Sequence, residues 1–342
     1  MKWSALFLVF LFFAGCESPD FKTGRSFYFW RTVFNLNKEE QQELMHMGVH
    51  RLYIRFFDVD LDVQKKQTRP IEDIRFVTQV DSLLELVPVV FITNRSILQN
   101  ADSAMPILGL RIVNRIKAIE HSLSGQHLKE VQLDCDWTET GRDKYFSLLE
   151  TLRSEFKKDK ILLSATIRLH QVKYFQRTGV PPVDKGMLMF YNMGKLDDAN
   201  TANSIYDQRT ASAYLSHLSS YPLPLDLALP CFSWMVVIQN NHVVRLVNDV
   251  SETELASANE FERIGKNQFR VKLKTKLGNT DLFEGQTLRL ERVDVNLCDQ
   301  AARQIQACLA HRPGHVAIFH LKKNQFSAYE KQVFESVYNR FD

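Results

Sequence analysis

The sequence between residues 131 and 139, Val-Gln-Leu-Asp-Cys-Asp-Trp-Thr-Glu, alternates apolar and polar positions over its first six residues. In a β-strand this alternation places Gln132, Asp134 and Asp136 on one face and the three apolar side chains on the other. Carboxylates on a buried face must be paired, or their pKa values shift. Strand-like and helix-like segments alternate on both sides of this stretch, which favours a buried parallel strand. The alternative is an exposed antiparallel strand with its polar face in water.

Apolar segments typical of strands recur along the chain, and segments with helical periodicity lie between most of them. The predicted strands are 26–31, 49–57, 87–92, 131–139 with its terminal loop, 161–168, 186–191, 225–234 and 315–321. The predicted helices include 37–45, 105–123, 142–156, 202–218, 296–310 and 327–341. Eight strands that alternate with helices predict an α/β fold of the (β/α)₈ TIM-barrel type over residues 25–342.

One region, 236–292, does not follow the alternation. It contains a hairpin-turn signal at 239–242, Gln-Asn-Asn-His, and two strand-like runs at 268–277 and 287–292. We interpret it as a small β-rich insertion between strands seven and eight. The alternative is a second, independent domain over 236–342, but the apolar eighth strand argues against this division.

The N-terminal segment has the pattern of a bacterial lipoprotein signal peptide. A basic start is followed by an apolar run at 5–13, which is too short to span a bilayer, and then by Phe-Ala-Gly-Cys at 13–16. This predicts a signal peptide over 1–16, a lipid on Cys16 and a tether over 17–24. The protein would then be anchored to a membrane of the bacterial cell envelope, with the outer membrane or the cell surface favoured. In the alternative, the signal peptide is not lipidated and Cys16 is incidental.

Composition narrows the classes of function. The net charge is +3 and charged residues make up 24% of the chain, so no broad basic surface indicates a nucleic-acid partner. Zinc-finger spacing and a phosphate-binding glycine loop are both missing from the sequence. We therefore expect no metal and no cofactor. The cysteines at 135, 231, 298 and 308 do not decide between free thiols and a disulfide.

Polar and aromatic side chains gather where the predicted strands end, which is where barrel enzymes place their active sites. Carboxylates there suit acid–base work on glycosidic bonds, and aromatic faces suit stacking on sugars. Each residue alone has a structural explanation, such as core packing or ion pairing with an arginine. The group consists of Trp30, Arg55, Asp58, Asp60, Asp134, Asp136, Glu139, Arg168, His170, Tyr191, Asn192, Trp234 and His320.

The segments 133–139 and 190–192, together with Trp234, resemble glycoside hydrolase family 18, the chitinase-like barrels. That family carries Asp-x-x-Asp-x-Asp-x-Glu on its fourth strand, and its Glu protonates the leaving oxygen. Aligned on Asp134 and Asp136, this sequence has Thr138 at the acid position and Glu139 one residue later. Val131 stands at the position of the first Asp. A one-residue offset reverses the direction of a strand side chain, although a loop could turn Glu139 back inward.

The resemblance implies a protein that acts on oligo- or polysaccharides. As an enzyme it would use Glu139 or Asp136 as general acid, Asp134 as electrostatic support and Tyr191 to orient the substrate. The alternatives are a non-catalytic carbohydrate-binding lipoprotein and a structural envelope protein in which Arg55 and Arg168 neutralise the inward carboxylates. The expected substrate-binding residues are Trp30, Arg55, Asp58, Arg168, Asn192, Trp234 and His320.

Overall fold

The computed structural model describes residues 22–62, 67–123, 125–198, 201–248, 250, 252–321 and 326–342. Within these residues, eight parallel strands follow one another around a closed barrel, because the first strand pairs with both the second and the eighth. The predicted (β/α)₈ TIM barrel is therefore confirmed. Its strands are Gly24–Phe29, Val49–Asp62, Glu85–Ile92, Glu130–Asp134, Leu162–Arg168, Lys185–Met189, Leu225–Pro230 and His315–Phe319. The predicted signal peptide, Cys16 and most of the tether lie outside the described residues.

Helices surround the barrel, and the first and last of them begin at capping boxes formed by Asn37 with Glu40 and by Ser327 with Glu330. The predicted helix at 202–218 is shorter than expected. None of the described helices is both long enough and apolar enough to cross a membrane. The α-helices are Lys38–His46, Asn94–Leu98, Met105–His121, Arg142–Lys158, Leu169–Lys173, Phe175–Thr178, Gln208–Leu215, Glu252–Ser257, Val295–Gln306 and Ala328–Asn339, and the 3₁₀ turns are Asp102–Ala104, Glu139–Gly141 and Leu218–Ser220.

The seventh strand ends earlier than the sequence predicted. It stops at Pro230, and the chain then enters a separate antiparallel sheet, so the prediction of one strand over 225–234 is wrong. The apolar run continues through the break because both sheets bury it. The hairpin turn at Asn240 and Asn241 has φ angles of 52° and 62°, as a primed turn requires. The sheet consists of Ser233–Gln239, His242–Asn248, Phe261–Arg263, Gln268–Val271 and Thr287–Arg292.

Shorter pairings complete the fold. The strand Gln67–Ile71 pairs in the antiparallel direction with the end of the second barrel strand. Val33–Phe34 pairs with Arg75–Phe76, and Thr275–Leu277 pairs with Thr280–Leu282. The antiparallel sheet has a small apolar cluster of its own. The eighth barrel strand follows this sheet in sequence and lies between the first and seventh strands of the barrel.

The fourth strand lines the barrel interior with polar side chains, and these are paired. Glu130 is almost fully buried, and its carboxylate binds Lys185 at 2.7 Å, Arg51 at 3.0 Å and the Ser164 hydroxyl at 2.7 Å. One layer higher, the Tyr28 hydroxyl donates to Gln132 at 2.6 Å. The fourth strand therefore turns its polar face inward, with its apolar side chains packed outward in the core.

Candidate functional site

A cleft of about 240 Å³ opens at the carboxyl ends of the fourth, fifth and sixth strands. Its polar lining groups lie at or just after the ends of these strands, and the helix Gln208–Leu215 contributes a tyrosine. This is the end of a TIM barrel where active sites are found. The lining residues are Asp136, Arg168, Leu169, His170, Tyr191, Asn192, Met193 and Tyr214.

Asp136 and Arg168 form a bidentate pair at the base of the cleft. The Nε and Nη2 groups of Arg168 each donate to one oxygen of Asp136, the second at 3.1 Å. The Asp136 side chain is 47% exposed, whereas that of Arg168 is 17% exposed. Burial lowers the pKa of Arg168, but the attraction of Asp136 and Asp134 outweighs it and raises that pKa, so the guanidinium stays charged.

Asp134 lies below this pair, inside the barrel. Only 4% of the residue is exposed, and the Thr166 hydroxyl donates to its Oδ1 at 2.7 Å. Burial raises the pKa of Asp134 to about 6, although the nearby Arg168 acts in the opposite direction. The Asp134 carboxyl is therefore neutral in mildly acidic solution and ionised at neutral pH.

Tyr191 forms the wall of the cleft on the sixth-strand side. Its hydroxyl donates a hydrogen bond to the Met189 sulfur at 3.1 Å, and burial raises its pKa well above the usual value. The phenol therefore keeps its proton and can donate a hydrogen bond. Asn192 follows with φ 54°, and its backbone N–H donates to Ile205 at 2.7 Å.

His170 lines the same cleft from the first turn after the fifth strand. Partial burial lowers its pKa, Asp136 raises it and Arg168 lowers it further. The imidazole is therefore neutral at pH 7. Its ring nitrogens can donate or accept hydrogen bonds without adding charge.

Glu139 lies outside the cleft. It begins a 3₁₀ turn, and its carboxylate pairs with Arg177 at 2.9 Å on the surface, where both side chains are more than half exposed. Thr138, at the position of the family acid, is also exposed. The catalytic role of Glu139 remains a prediction. Its position in a surface ion pair outside the cleft does not favour that role.

Arg55 and Asp58 do not line the cleft either. Their side chains pair with each other through two hydrogen bonds, one of them 2.7 Å long, and Glu72 accepts from the same arginine at 3.0 Å. Asp60 pairs with Arg95 nearby. In the structure, Arg55 and Asp58, which were predicted to bind substrate, are held in ion pairs on the second strand, and Asp60 lies in a separate pair.

The remaining predicted residues, Trp30, Trp234 and His320, belong to an aromatic cluster beside the cleft. Phe319 is at its centre, with ring centroids 5.7 Å from Trp30 and 5.1 Å from Tyr191. The His320 ring lies 5.2 Å from Phe319. Trp234 joins through Phe232 at 5.5 Å. The cluster supports the Tyr191 ring, but its two tryptophans are not among the cleft-lining residues.

Sequence reasoning missed Phe319, Tyr214 and Met193. For Phe319 a signal existed, since it continues the inward positions 315 and 317 of the eighth strand. For Tyr214 the sequence held none, because its place depends on how the helix Gln208–Leu215 docks. Within the described residues, no group of three or more His, Cys, Asp or Glu side chains could hold a metal ion.

A buried ion pair holds one wall of the cleft in place. Arg289 donates to Glu291 at 2.7 Å, and both side chains are at most 1% exposed. Glu291 also accepts from the Ser204 backbone N–H at 2.9 Å and from the Trp234 indole at 2.8 Å. Arg289 donates to the carbonyl of Leu196 at 2.9 Å. The chain segment that follows Asn192 and Met193 is thus fixed to the antiparallel sheet.

The fold of this chain is similar to those of several solved structures. The spore cortex-lytic enzyme SleL of Bacillus megaterium QM B1551 matches at TM-score 0.56 and 13% identity, over 95% of this chain and 76% of that chain. SleL of Bacillus cereus matches at TM-score 0.54 and 12% identity, over 94% of this chain and 75% of that chain. The class V chitinase of Nicotiana tobaccum matches at TM-score 0.54 and 11% identity, over 93% of this chain and 99% of that chain. The chain has the chitinase-like barrel fold.

At these identities the likeness establishes the chitinase-like fold alone. No protein-family model matches the sequence, and no curated protein sequence matches it either. What the cleft does must therefore be argued from its own side chains.

The buried Asp134 carboxyl predicts a specific pH dependence of stability. Because its pKa is raised on folding, the folded state binds more protons than the unfolded state between about pH 4 and 6, and this group's contribution to stability falls as the pH rises through that window. Asn in place of Asp134 can still accept from Thr166 but does not titrate. Denaturant unfolding of Asp134→Asn and wild type should show that the variant gains ~2 kcal/mol relative to wild type between pH 4.5 and 7.5.

Asp143→Asn is the matched control, because Asp143 is exposed and its pKa is lowered by Arg142, so that its titration lies below this window. Its free energy of unfolding should follow that of wild type across the same pH range. Parallel curves for Asp134→Asn and wild type would contradict the raised pKa of Asp134.

Proposed function

We propose that the protein binds a glycan in the cleft at the mouth of its chitinase-like barrel. The observation that carries this proposal is the cleft itself: a concave site at the carboxyl ends of the strands, lined by two tyrosines, an asparagine, a neutral histidine and one arginine–carboxylate pair. Such a mixture of ring faces and hydrogen-bonding groups suits a polar ligand with many hydroxyls. The tobacco chitinase, in a mutant form, has been solved in complex with NAG4, an oligosaccharide.

The individual groups offer complementary contacts to a sugar. The Asn192 amide can donate hydrogen bonds, and the exposed part of Asp136 can accept them. Tyr214 presents an aromatic side chain at the opposite side of the cleft. The cleft volume of about 240 Å³ is close to that of one sugar unit, so a longer glycan would extend beyond it.

Binding without cleavage is the version that we favour. The family acid position holds Thr138, and Glu139 is paired with Arg177 away from the cleft. Both oxygens of Asp136 accept from Arg168, so this carboxyl is arranged to accept hydrogen bonds rather than to donate a proton. A general acid must bring a proton within hydrogen-bond reach of the leaving oxygen, and neither a threonine at 138 nor the surface ion pair of Glu139 supports that role.

Tyr214→Ala tests the binding site. Removing this ring should weaken binding of NAG4 roughly tenfold, as the loss of an aromatic anchor does in other binding sites. Isothermal titration calorimetry gives the affinity. Tyr329→Ala is the control, because Tyr329 is an exposed tyrosine that lies on the last helix and does not line the cleft. Equal affinities for all three proteins would remove Tyr214 from the site.

A second candidate is hydrolysis, which one observation favours. The buried Asp134 carboxyl, with its pKa of about 6, stands two residues from Asp136 on the same strand face. Two carboxyl groups in unlike environments are the arrangement that acid–base glycosidases use. In this version Asp136 protonates the leaving oxygen, Asp134 supports it and Tyr191 orients the sugar.

Long incubation of wild type with NAG4, followed by chromatography of the sugars, separates the two candidates. We expect intact NAG4. If shorter products appear and Asp136→Asn abolishes them, the protein is a hydrolase and the binding-only version is wrong. Glu139→Gln, made alongside, should leave any such activity unchanged if the acid is Asp136.

We also propose that binding takes place at a bacterial cell surface, with the protein anchored by lipid on Cys16. The support is the apolar run and the Phe-Ala-Gly-Cys motif of the first sixteen residues. Mass spectrometry of the protein extracted from bacterial membranes should find a diacylglycerol-modified N-terminal Cys16. An unmodified cysteine, or processing at another residue, would contradict the anchor.

A further inference from the structure

Lys173 lies at the outer edge of the cleft between two tyrosine rings. It ends the short helix that follows the fifth strand, and its Nζ is 5.4 Å from the ring centroid of Tyr174 and 5.2 Å from that of Tyr214. The same ammonium donates to the Ala213 carbonyl at 3.1 Å. Two cation–π contacts and one hydrogen bond therefore hold the charge in place.

This cation has no carboxylate partner within the part of the chain that the structure describes. Its contacts are the two rings and one backbone carbonyl. Arg168, by contrast, is neutralised by Asp136 inside the cleft. Lys173 therefore leaves a positive charge beside the cleft that an anionic group of a ligand can meet.

The two tyrosines continue the cleft outward. Tyr214 lines the cleft, and Tyr174 is 46% exposed on the other side of the Lys173 ammonium. A sugar stacked on these rings would have its substituents next to the lysine. An exposed aromatic residue beside a binding cleft, held by a cation, is a preformed surface and costs little entropy to order on binding.

We propose that Lys173, Tyr174 and Tyr214 form a second subsite, which takes a sugar unit carrying a carboxylate. The natural ligand is then an acidic glycan of at least two units, with one unit in the cleft and the acidic unit on the two tyrosines. This inference rests on the proposed glycan binding and specifies its ligand class.

The test compares glycans with and without the carboxylate. One probe is NAG4, which is neutral. The second has the same β-1,4 backbone with N-acetylmuramic acid at alternate units, so that it differs by its lactyl carboxylates. A third, tetragalacturonate, supplies carboxylates on a different sugar. Titration calorimetry with each probe gives the ratio of the affinities for acidic and neutral glycans.

Wild type should prefer one or both acidic probes to NAG4, and the choice between the two probes identifies the source of the carboxylate. Lys173→Met keeps an aliphatic side chain between the rings but removes the charge, and it should lower the ratio about fivefold, the effect of one partly exposed ion pair. Lys173→Arg should keep the ratio. In wild type, raising the salt to ~0.5 M should lower the ratio in the same direction, without any change of sequence.

Lys157→Met is the control, because this exposed lysine lies near the end of the helix Arg142–Lys158, away from the cleft. Far-UV circular dichroism should confirm that every variant is folded. If wild type binds the probes but its ratio responds neither to salt nor to Lys173→Met, the subsite is wrong and the glycan-binding proposal survives. If wild type binds none of the three probes, both are wrong.

Discussion

The structure depends on one constraint: every polar side chain that the fourth strand turns into the closed barrel must find a partner there. The fifth strand supplies one at each level. The Glu130 carboxylate accepts from the Ser164 hydroxyl, and the Asp134 carboxylate accepts from Thr166. Lys185 and Arg51 neutralise the charge of Glu130 at the floor, where water is excluded and an unpaired carboxylate would be strongly destabilising.

At the mouth of the barrel, this series of paired side chains between the fourth and fifth strands becomes exposed to solvent. The last pair, Asp136 with Arg168, follows the geometry of the pairs beneath it, but nearly half of the Asp136 side chain is exposed. The cleft is therefore built from the uppermost level of the pairing that stabilises the barrel. The Asp136–Arg168 pair does not involve position 138, so it is compatible with the threonine found there.

The part of the fold that could be predicted from sequence is the part that local periodicity controls. Alternation over 131–136 gave the inward face correctly, and the recurrence of strands and helices gave the barrel. Three features depended on contacts distant in sequence and could not be derived. Trp234 leaves the seventh strand because 287–292 pairs with it, Glu139 turns outward to Arg177, and Tyr214 enters the cleft through helix docking.

The antiparallel sheet contributes to the site without lining it. Its buried Arg289–Glu291 pair binds the segment that follows Asn192 and Met193, and it holds the Trp234 indole. An ion pair buried to this extent is stable only while its other hydrogen bonds are satisfied, and here the Leu196 carbonyl and the Ser204 N–H, in the segment after Met193, help to satisfy them. This segment and the sheet therefore stabilise each other. The aromatic cluster links Trp234 to Tyr191 through Phe232. A shift of Trp234 in the sheet would therefore displace the Tyr191 ring in the cleft through direct packing.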